Sequence, residues 1–194
     1  LMKIAYVLLA AGNGSRFGRC KQLANVDGQA VIQHSLASLT QVAKSTPFVV
    51  LGAYQGEIEA QINAHVNVIS HPQWQLGLGS SIAKAAEVID GLNEYDAIMF
   101  TLADQIKVTP DDLTKLIDSF DGKHISAAFY GTKAGAAKPG VPAIFPQHLF
   151  ADLKGLVGKN GAKALLMSAQ GKLNLLQMDN ALFDIDYPED IERY

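Results

Sequence analysis

The stretch LAAGNGSRFGRCKQL, residues 9–23, follows directly on the apolar run 4–9. Such a run reads as a buried strand, and one that empties into three glycines must turn sharply or let its backbone approach a ligand. Gly12, Gly14 and Gly18 supply that freedom, while Arg16, Arg19 and Lys21 have no acidic residue before Asp27 to neutralise them. Successive N–H groups in a loop of this kind form an anion-binding concavity, to which side-chain cations add full charges. The competing reading is a tight strand-to-helix turn whose basic residues are only solvated. Spacing excludes two common phosphate loops. A Walker A loop needs G-x-x-x-x-G-K-[ST], but Lys21 lies three residues past Gly18 with no hydroxyl residue after it. A dinucleotide fingerprint needs G-x-G-x-x-G and an acid after the second strand. Here the last spacing is one residue longer, and Gly52-Ala53-Tyr54 follows residues 48–51. What remain are a cradle for a nucleoside triphosphate and the plain strand-to-helix turn, between which the loop by itself does not decide.

The anion site has to be local. With a net charge of −3 and a pI near 5.9, the 194-residue chain does not carry the charge of a general nucleic-acid or membrane-surface binder. Its 48% hydrophobic and 18% charged residues are those of an ordinary folded domain. The single cysteine, Cys20, rules out an internal disulfide and a cysteine-based metal cluster. The N-terminal LMKIAYVLLAAG runs into the basic loop rather than a cleavage context, so it is read as a strand and not a signal peptide. No stretch approaches the roughly 20 apolar residues of a membrane span, and a cytoplasmic location is expected.

Residues 4–9, 48–51, 66–69, 97–102 and 125–129 are short apolar runs of the kind found in strands buried on both faces. Helical spacing falls between them, at 30–39, 80–89 and 110–120, the last opening with Thr109-Pro110-Asp111-Asp112, a cap, a proline and early acids. This alternation predicts an α/β protein with a mostly parallel sheet covered by helices on both faces. Residues 130–146, YGTKAGAAKPGVPAIFP, are rich in glycine, alanine and proline, and are expected to form a mobile loop leading into a short strand at 143–145. A helix at 161–169, a strand at 173–178 and an acidic tail complete the reading.

Two acidic features face the basic loop. IMFTLADQ sets Asp104 just beyond the end of a central strand, the edge where open α/β sheets bind ligands. DIDYPED puts Asp184 and Asp186 on one side of an extended segment. Separately, a loop cap and a solvated acidic end would explain them. Together with the basic loop they suggest Mg²⁺ carried onto phosphate oxygens.

LAAGNGSRFGRCKQL, GLGSSI (77–82), LADQ (102–105), GVPAIFP (140–146) and DIDYPED stand in the order of one family. The chain resembles the molybdenum cofactor cytidylyltransferases and their guanylyltransferase relatives, and the resemblance spans nearly its whole length. It implies a three-layer α/β/α domain over residues 1–194 with a Rossmann-like sheet of the nucleotide-diphospho-sugar transferase, or glycosyltransferase-A-like, type. Residues up to about 105 would bind nucleotide, and those from about 106 the acceptor. The implied reaction moves CMP from CTP to the terminal phosphate of molybdopterin, with pyrophosphate leaving and a molybdoenzyme or its chaperone as onward partner. By the same resemblance, Leu9, Ala10, Ala11, Gly12, Asn13, Gly14 and Ser15 line the nucleotide, with Ala11 and the Gly77–Ser81 stretch selecting the base. Arg16 and Lys21 stabilise pyrophosphate, and Asp104 with Asp186 holds Mg²⁺. Ser80 and Ser81 have a second reading as helix-capping hydroxyls. Three positions depart from the family pattern: Cys20 replaces a proline, Lys159 an acid, and Val141 a histidine. His34 and His71 are expected to be structural and Trp74 to pack. The segment 132–138, with Lys133 and Lys138, is expected to act as a lid over a phosphorylated acceptor. The alternatives are a transferase acting on a sugar phosphate or other phosphorylated alcohol, and a molybdenum cofactor chaperone without chemistry.

Overall fold

A computed structural model describes residues 1–130, 138–169 and 171–194. In chain order its elements are β1 (Ile4–Leu9), β2 (Asn25–Val26), β3 (Gln29–Ala30), α1 (Val31–Val42), β4 (Phe48–Leu51), α2 (Gln55–Glu59), β5 (Asn67–Ser70), α3 (Leu78–Leu92) and β6 (Ala97–Leu102). There follow α4 (Pro110–Asp118), β7 (Ile125–Tyr130), β8 (Lys138–Pro146), α5 (Phe150–Lys154), α6 (Lys163–Ser168) and β9 (Leu173–Gln177). Seven strands form one sheet in the order β5-β4-β1-β6-β8-β7-β9, and β2 and β3 make a separate small ribbon. β8 alone runs antiparallel to its neighbours, so the sheet is mostly parallel, as the strand–helix alternation predicts.

The sheet separates two cores. Along β1, Ala5, Val7 and Leu9 face one core, while Tyr6 and Leu8 face the other. This period of two, apolar on both faces, makes β1 a central strand covered on both sides. α3 fills the first core with Ile82, Ala85, Ala86 and Ile89, spaced as one helical stripe. α1 and α4 fill the second with Ile32, Leu36, Leu39, Leu113 and Leu116. α4 starts as its sequence dictates: the Thr109 hydroxyl accepts from the Asp112 N–H at 3.2 Å, and the Asp112 carboxylate accepts from the Thr109 N–H at 2.9 Å.

The expectation for 130–146 requires correction. β8 begins at Lys138 and sits between β6 and β7 near the middle of the sheet. Pro142 cannot donate to a ladder. The register with β7 therefore slips, from Ala127 opposite Ala143 to Ala128 opposite Gly140, skipping Val141 and Pro142. The freed Val141 carbonyl accepts from the Tyr130 hydroxyl at 2.6 Å and from Gln105 Nε2 at 3.1 Å. A bulge and two side-chain donors thus let a proline-containing segment run beside a central strand. Of the expected lid, residues 132–137, Lys133 among them, lie outside the described residues, and Lys138 is the first residue of β8. The short helices α2 and α5 carry no pattern that spacing could have revealed. No described helix is long and apolar enough to cross a membrane.

Candidate active site

β1 and β6 are parallel neighbours, so their C-terminal ends open at the same edge of the sheet. There the loop after β1, the Lys21 turn, the start of α3 and the residues after β6 enclose a cleft of about 510 Å³. Leu9, Ala10, Ala11, Gly12, Asn13, Gly14, Ser15, Lys21, Gly77, Ser81 and Asp104 all line it, joined by Gln22, Trp74, Gln75 and Lys159. The structure thus gathers most of the residues singled out from sequence. Three lie elsewhere. Ser80 points to the far side of α3, where its hydroxyl donates to the Gly77 carbonyl at 2.6 Å and accepts from His71 Nε2 at 2.9 Å. Neither Ser80 nor Ser81 caps α3, whose cap position is Gly77. Arg16 and Asp186 stand outside the cleft lining and pair with each other at 2.7 Å. His34 is half-buried and bonded to the Val26 carbonyl.

The loop after β1 is polarised. Its carbonyls turn into the protein: Leu9 O accepts from Ala103 N–H, Ala11 O from Ala53 N–H, and Gly14 O from the N–H groups of Phe17 and Gly18. Ala10 O and Gly12 O accept from the buried Gln22 side chain at 3.0 and 2.7 Å. The N–H groups of Gly12, Asn13, Gly14 and Ser15 make no hydrogen bond among the described residues. A row of unpaired donors beside a hollow is what an anion needs. Gly14 adopts φ +60°, and a Cβ there would meet Lys21 Cβ at 2.9 Å, so the turn that presents these donors demands glycine.

Opposite the loop, Lys21 Nζ lies 2.7 Å from Asp104 Oδ2 and 3.4 Å from Asp186 Oδ1. The two acids meet because the C-terminal segment is tied to the turn after β6, Ile185 N–H donating to the Asp104 carbonyl at 3.2 Å. Burial alone would lower the Lys21 pKa, but the Asp104 and Asp186 carboxylates outweigh it and the net shift is upward. Lys21 is held as ammonium. Asp184 responds the other way: desolvation of its carboxyl, then the Asp104 and Asp186 charges, push it up to about 7, although the residue as a whole is exposed. Burial also raises the Cys20 thiol, which therefore stays protonated at neutral pH. Asp104 Oδ1 is buried with no hydrogen-bond partner among the described residues.

The far wall of the cleft is built by close backbone contact. Gly79 N–H donates to the Gly158 carbonyl at 2.8 Å, and a Cβ on Gly77 would meet that carbonyl oxygen at 2.5 Å. Lys159 is thereby fixed beside the start of α3. Next to the cleft, and sharing Leu78 and Leu102 with it, is a second hollow of about 430 Å³, lined mainly by Pro139, Val141, Ala162, Leu166 and Met167 with Lys138, Asn160 and Lys163.

A glycine-rich N–H cradle facing a lysine–aspartate cluster at a parallel sheet edge is suited to binding a triphosphate and neutralising charge on it. The MobA-like NTP transferase domain model matches residues 6–173. The chain belongs to that family. It is a nucleotidyltransferase. The chain is 27% identical to the purine catabolism protein PucB of Bacillus subtilis, the alignment covering 96% of this chain and 93% of PucB. It is 31% identical to the bifunctional protein GlmU of Desulfitobacterium hafniense strain Y51 over 58% of this chain, and spans about a quarter of the length of such GlmU relatives (24% in that case). Among solved structures, Rv0371c of Mycobacterium tuberculosis superposes with a TM-score of 0.84 at 25% identity, over 99% of this chain and 96% of that one. The nucleotidyl transferase Mth528 of Methanothermobacter shares the fold, with a TM-score of 0.82 at 24% identity over 98% of this chain and 95% of that chain.

Proposed function

We propose that this MobA-like transferase moves CMP from CTP to the terminal phosphate of a molybdopterin-type acceptor and releases pyrophosphate. The observation that carries the reading is the loop after β1: the Leu9, Ala10, Ala11, Gly12 and Gly14 carbonyls are engaged, while the N–H groups of Gly12, Asn13, Gly14 and Ser15 have no partner among the described residues, beside the Lys21–Asp104–Asp186 cluster. The loop N–H groups take the triphosphate, and Ala11 with the Gly77–Ser81 wall meets the base. An oxygen of the acceptor phosphate attacks the α-phosphorus of CTP while the bond from that phosphorus to the bridging oxygen breaks, and pyrophosphate carries away the electron pair. Lys21 and Arg16 stabilise the charge that gathers on it.

The carboxylates fit a divalent cation. Asp104 and Asp186 are hard oxygen donors already converging on one positive charge, and the orphaned Asp104 Oδ1 has coordination to spare. No group of three or more acidic, histidine or cysteine side chains among the described residues could hold an ion on its own. Mg²⁺ would therefore share two carboxylates with phosphate and water ligands, as that ion usually does. When bound it supplies charge neutralisation on the phosphate oxygens.

The second hollow favours a pterin-like acceptor over a sugar phosphate. Its lining is mostly apolar, so ring faces would be accommodated there, whereas sugar hydroxyls would lose water without gaining partners. Lys138, Lys159 and Lys163 are available for the acceptor's phosphate. On this reading residues 1–105 carry the nucleotide, and 106–194 contribute the acceptor hollow and Asp186. A chaperone without chemistry would have no use for two acids converging on the triphosphate site. The test is pyrophosphate release with Mg²⁺ and each of CTP, GTP, ATP and UTP, with and without molybdopterin. Release requiring both CTP and the pterin supports the reading. Release with glucose 1-phosphate in place of the pterin would refute the acceptor.

A further inference from the structure

Gln22 carries no charge and is buried, with 4% of its surface exposed, yet it lies on the lining of the triphosphate cleft. Its Nε2 donates two hydrogen bonds, to the Ala10 carbonyl at 3.0 Å and to the Gly12 carbonyl at 2.7 Å. Both protons of one amide are thus committed to alternate peptide groups of a single loop. In a planar trans peptide the carbonyl of one residue and the N–H of the next point in opposite directions. Drawing the Ala10 and Gly12 carbonyls toward Gln22 therefore turns the N–H groups of Ala11 and Asn13 away from it. Ala53 N–H does the same for the intervening peptide by holding the Ala11 carbonyl at 3.0 Å, which directs the Gly12 N–H.

We propose that Gln22 is the positioning residue of this anion cradle: its amide fixes the peptide orientation that lets the loop after β1 bind the triphosphate. The proposal rests on the nucleotide reading above and adds to it a residue that touches no reacting atom. Because the loop contains Gly12 and Gly14, its peptides rotate at little steric cost. Without the amide, the Ala10 and Gly12 carbonyls would seek other donors, and the peptides could flip so that carbonyl oxygens face the phosphates. Lys21, the neighbouring residue, then has its charge opposed by backbone acceptors rather than assisted by donors. Gln22 is also held from its other end, the Cys20 thiol donating to Oε1 at 3.7 Å.

The test uses Gln22→Met, which keeps the length and apolar bulk without the donor, and Gln22→Glu, which replaces the donor by a carboxylate. Inorganic pyrophosphate is titrated into each protein by calorimetry, and steady-state kinetics are measured with CTP. Both variants are expected to bind pyrophosphate about ten- to a hundredfold more weakly, the size of two lost hydrogen bonds. The CTP KM should rise by a similar factor with kcat little changed, whereas general destabilisation would lower both the folded fraction and kcat. A folded Gln22→Met protein with pyrophosphate affinity within twofold of wild type overturns the proposal. Backbone ¹⁵N relaxation on the ligand-free proteins, which reads the mobility of the loop peptides directly, separates this outcome from failure of the nucleotide reading. If wild type binds neither pyrophosphate nor CTP, that reading falls. Lower backbone order parameters across residues 11–15 in the variants would then still support the role of Gln22, and unchanged values would overturn it.

Discussion

Replacing Lys21 by methionine separates two jobs of one ammonium group. Nζ sits 2.7 Å from Asp104 and 3.4 Å from Asp186. At an effective dielectric constant of about 20, those distances correspond to gross attractions of about 6 and 5 kcal/mol. Most of this is offset by desolvation, because the Lys21 and Asp104 side chains are only 13% and 23% exposed. Losing the ammonium leaves Asp104 without a cation and Asp186 with Arg16 alone, at a cost of about 2 kcal/mol in folding stability after allowing for residual solvation. Urea denaturation without divalent metal should register that loss, and Mg²⁺ should recover part of it by replacing the missing charge. Turnover should behave differently. In the proposed reaction Lys21 acts on charge that develops on the leaving pyrophosphate, and removal of one such preorganised donor should lower kcat by about 10²- to 10³-fold, or about 2.7–4 kcal/mol. Saturating Mg²⁺ should not restore it. A Lys21→Met enzyme within threefold of wild-type turnover would refute this, as would a variant as stable as wild type in EDTA.

Asp186→Asn should raise the Mg²⁺ concentration needed for half-maximal activity by about tenfold while leaving metal-free CTP binding nearly unchanged, checked by Mg²⁺ titration of turnover and by calorimetry. Asp184 sets a pH dependence. Its folded-state pKa, raised to about 7, lies above the value of about 4 for an unfolded aspartate, so between those pH values the folded protein holds a proton that the unfolded chain has released. Stability without metal should therefore fall as pH rises through that window, and Asp184→Asn should flatten the slope in urea titrations at pH 5 and pH 8. Gly77→Ala meets two obstacles, a φ of +98° and a Cβ placed 2.5 Å from the Gly158 carbonyl oxygen. It should lower stability by about 2 kcal/mol or more and raise the CTP KM, by denaturation and by initial rates.

The strands at 4–9, 48–51 and 97–102 were legible to the residue because both faces of each are buried, which requires an unbroken apolar run. β8 was not, because its apolar residues are interrupted by Pro139, Gly140 and Pro142, and what makes them tolerable is tertiary: Tyr130 and Gln105 supply donors that no local pattern announces. The site divides in the same way. Glycines, cations and acids stand out in a sequence because their chemistry is specific, and most of them converge on one cleft. Gln22 does not stand out, since a glutamine after a lysine gives no hint that both its amide protons are spoken for. Ser80 misled for the opposite reason: a hydroxyl at a helix start suggests a cap or a ligand contact, whereas here it serves a buried histidine on the other side of the helix.

The contacts that assemble the charge cluster join residues far apart along the chain: Lys21 to Asp104 across 83 positions, Lys21 to Asp186 across 165, and Arg16 to Asp186 across 170. Synthesis runs from the N-terminus, so the phosphate loop and Asp104 leave the ribosome well before Asp186 exists. On the proposed function, a nascent chain at that stage has the loop N–H groups and Asp104 but lacks the second carboxylate assigned to the metal. Among the described hydrogen bonds, those of Asp186 span the widest separations, the kind of contact that forms slowly and late. On the proposed function, competence to transfer would therefore be acquired after competence to bind, because the carboxylate that completes the charge cluster is made last.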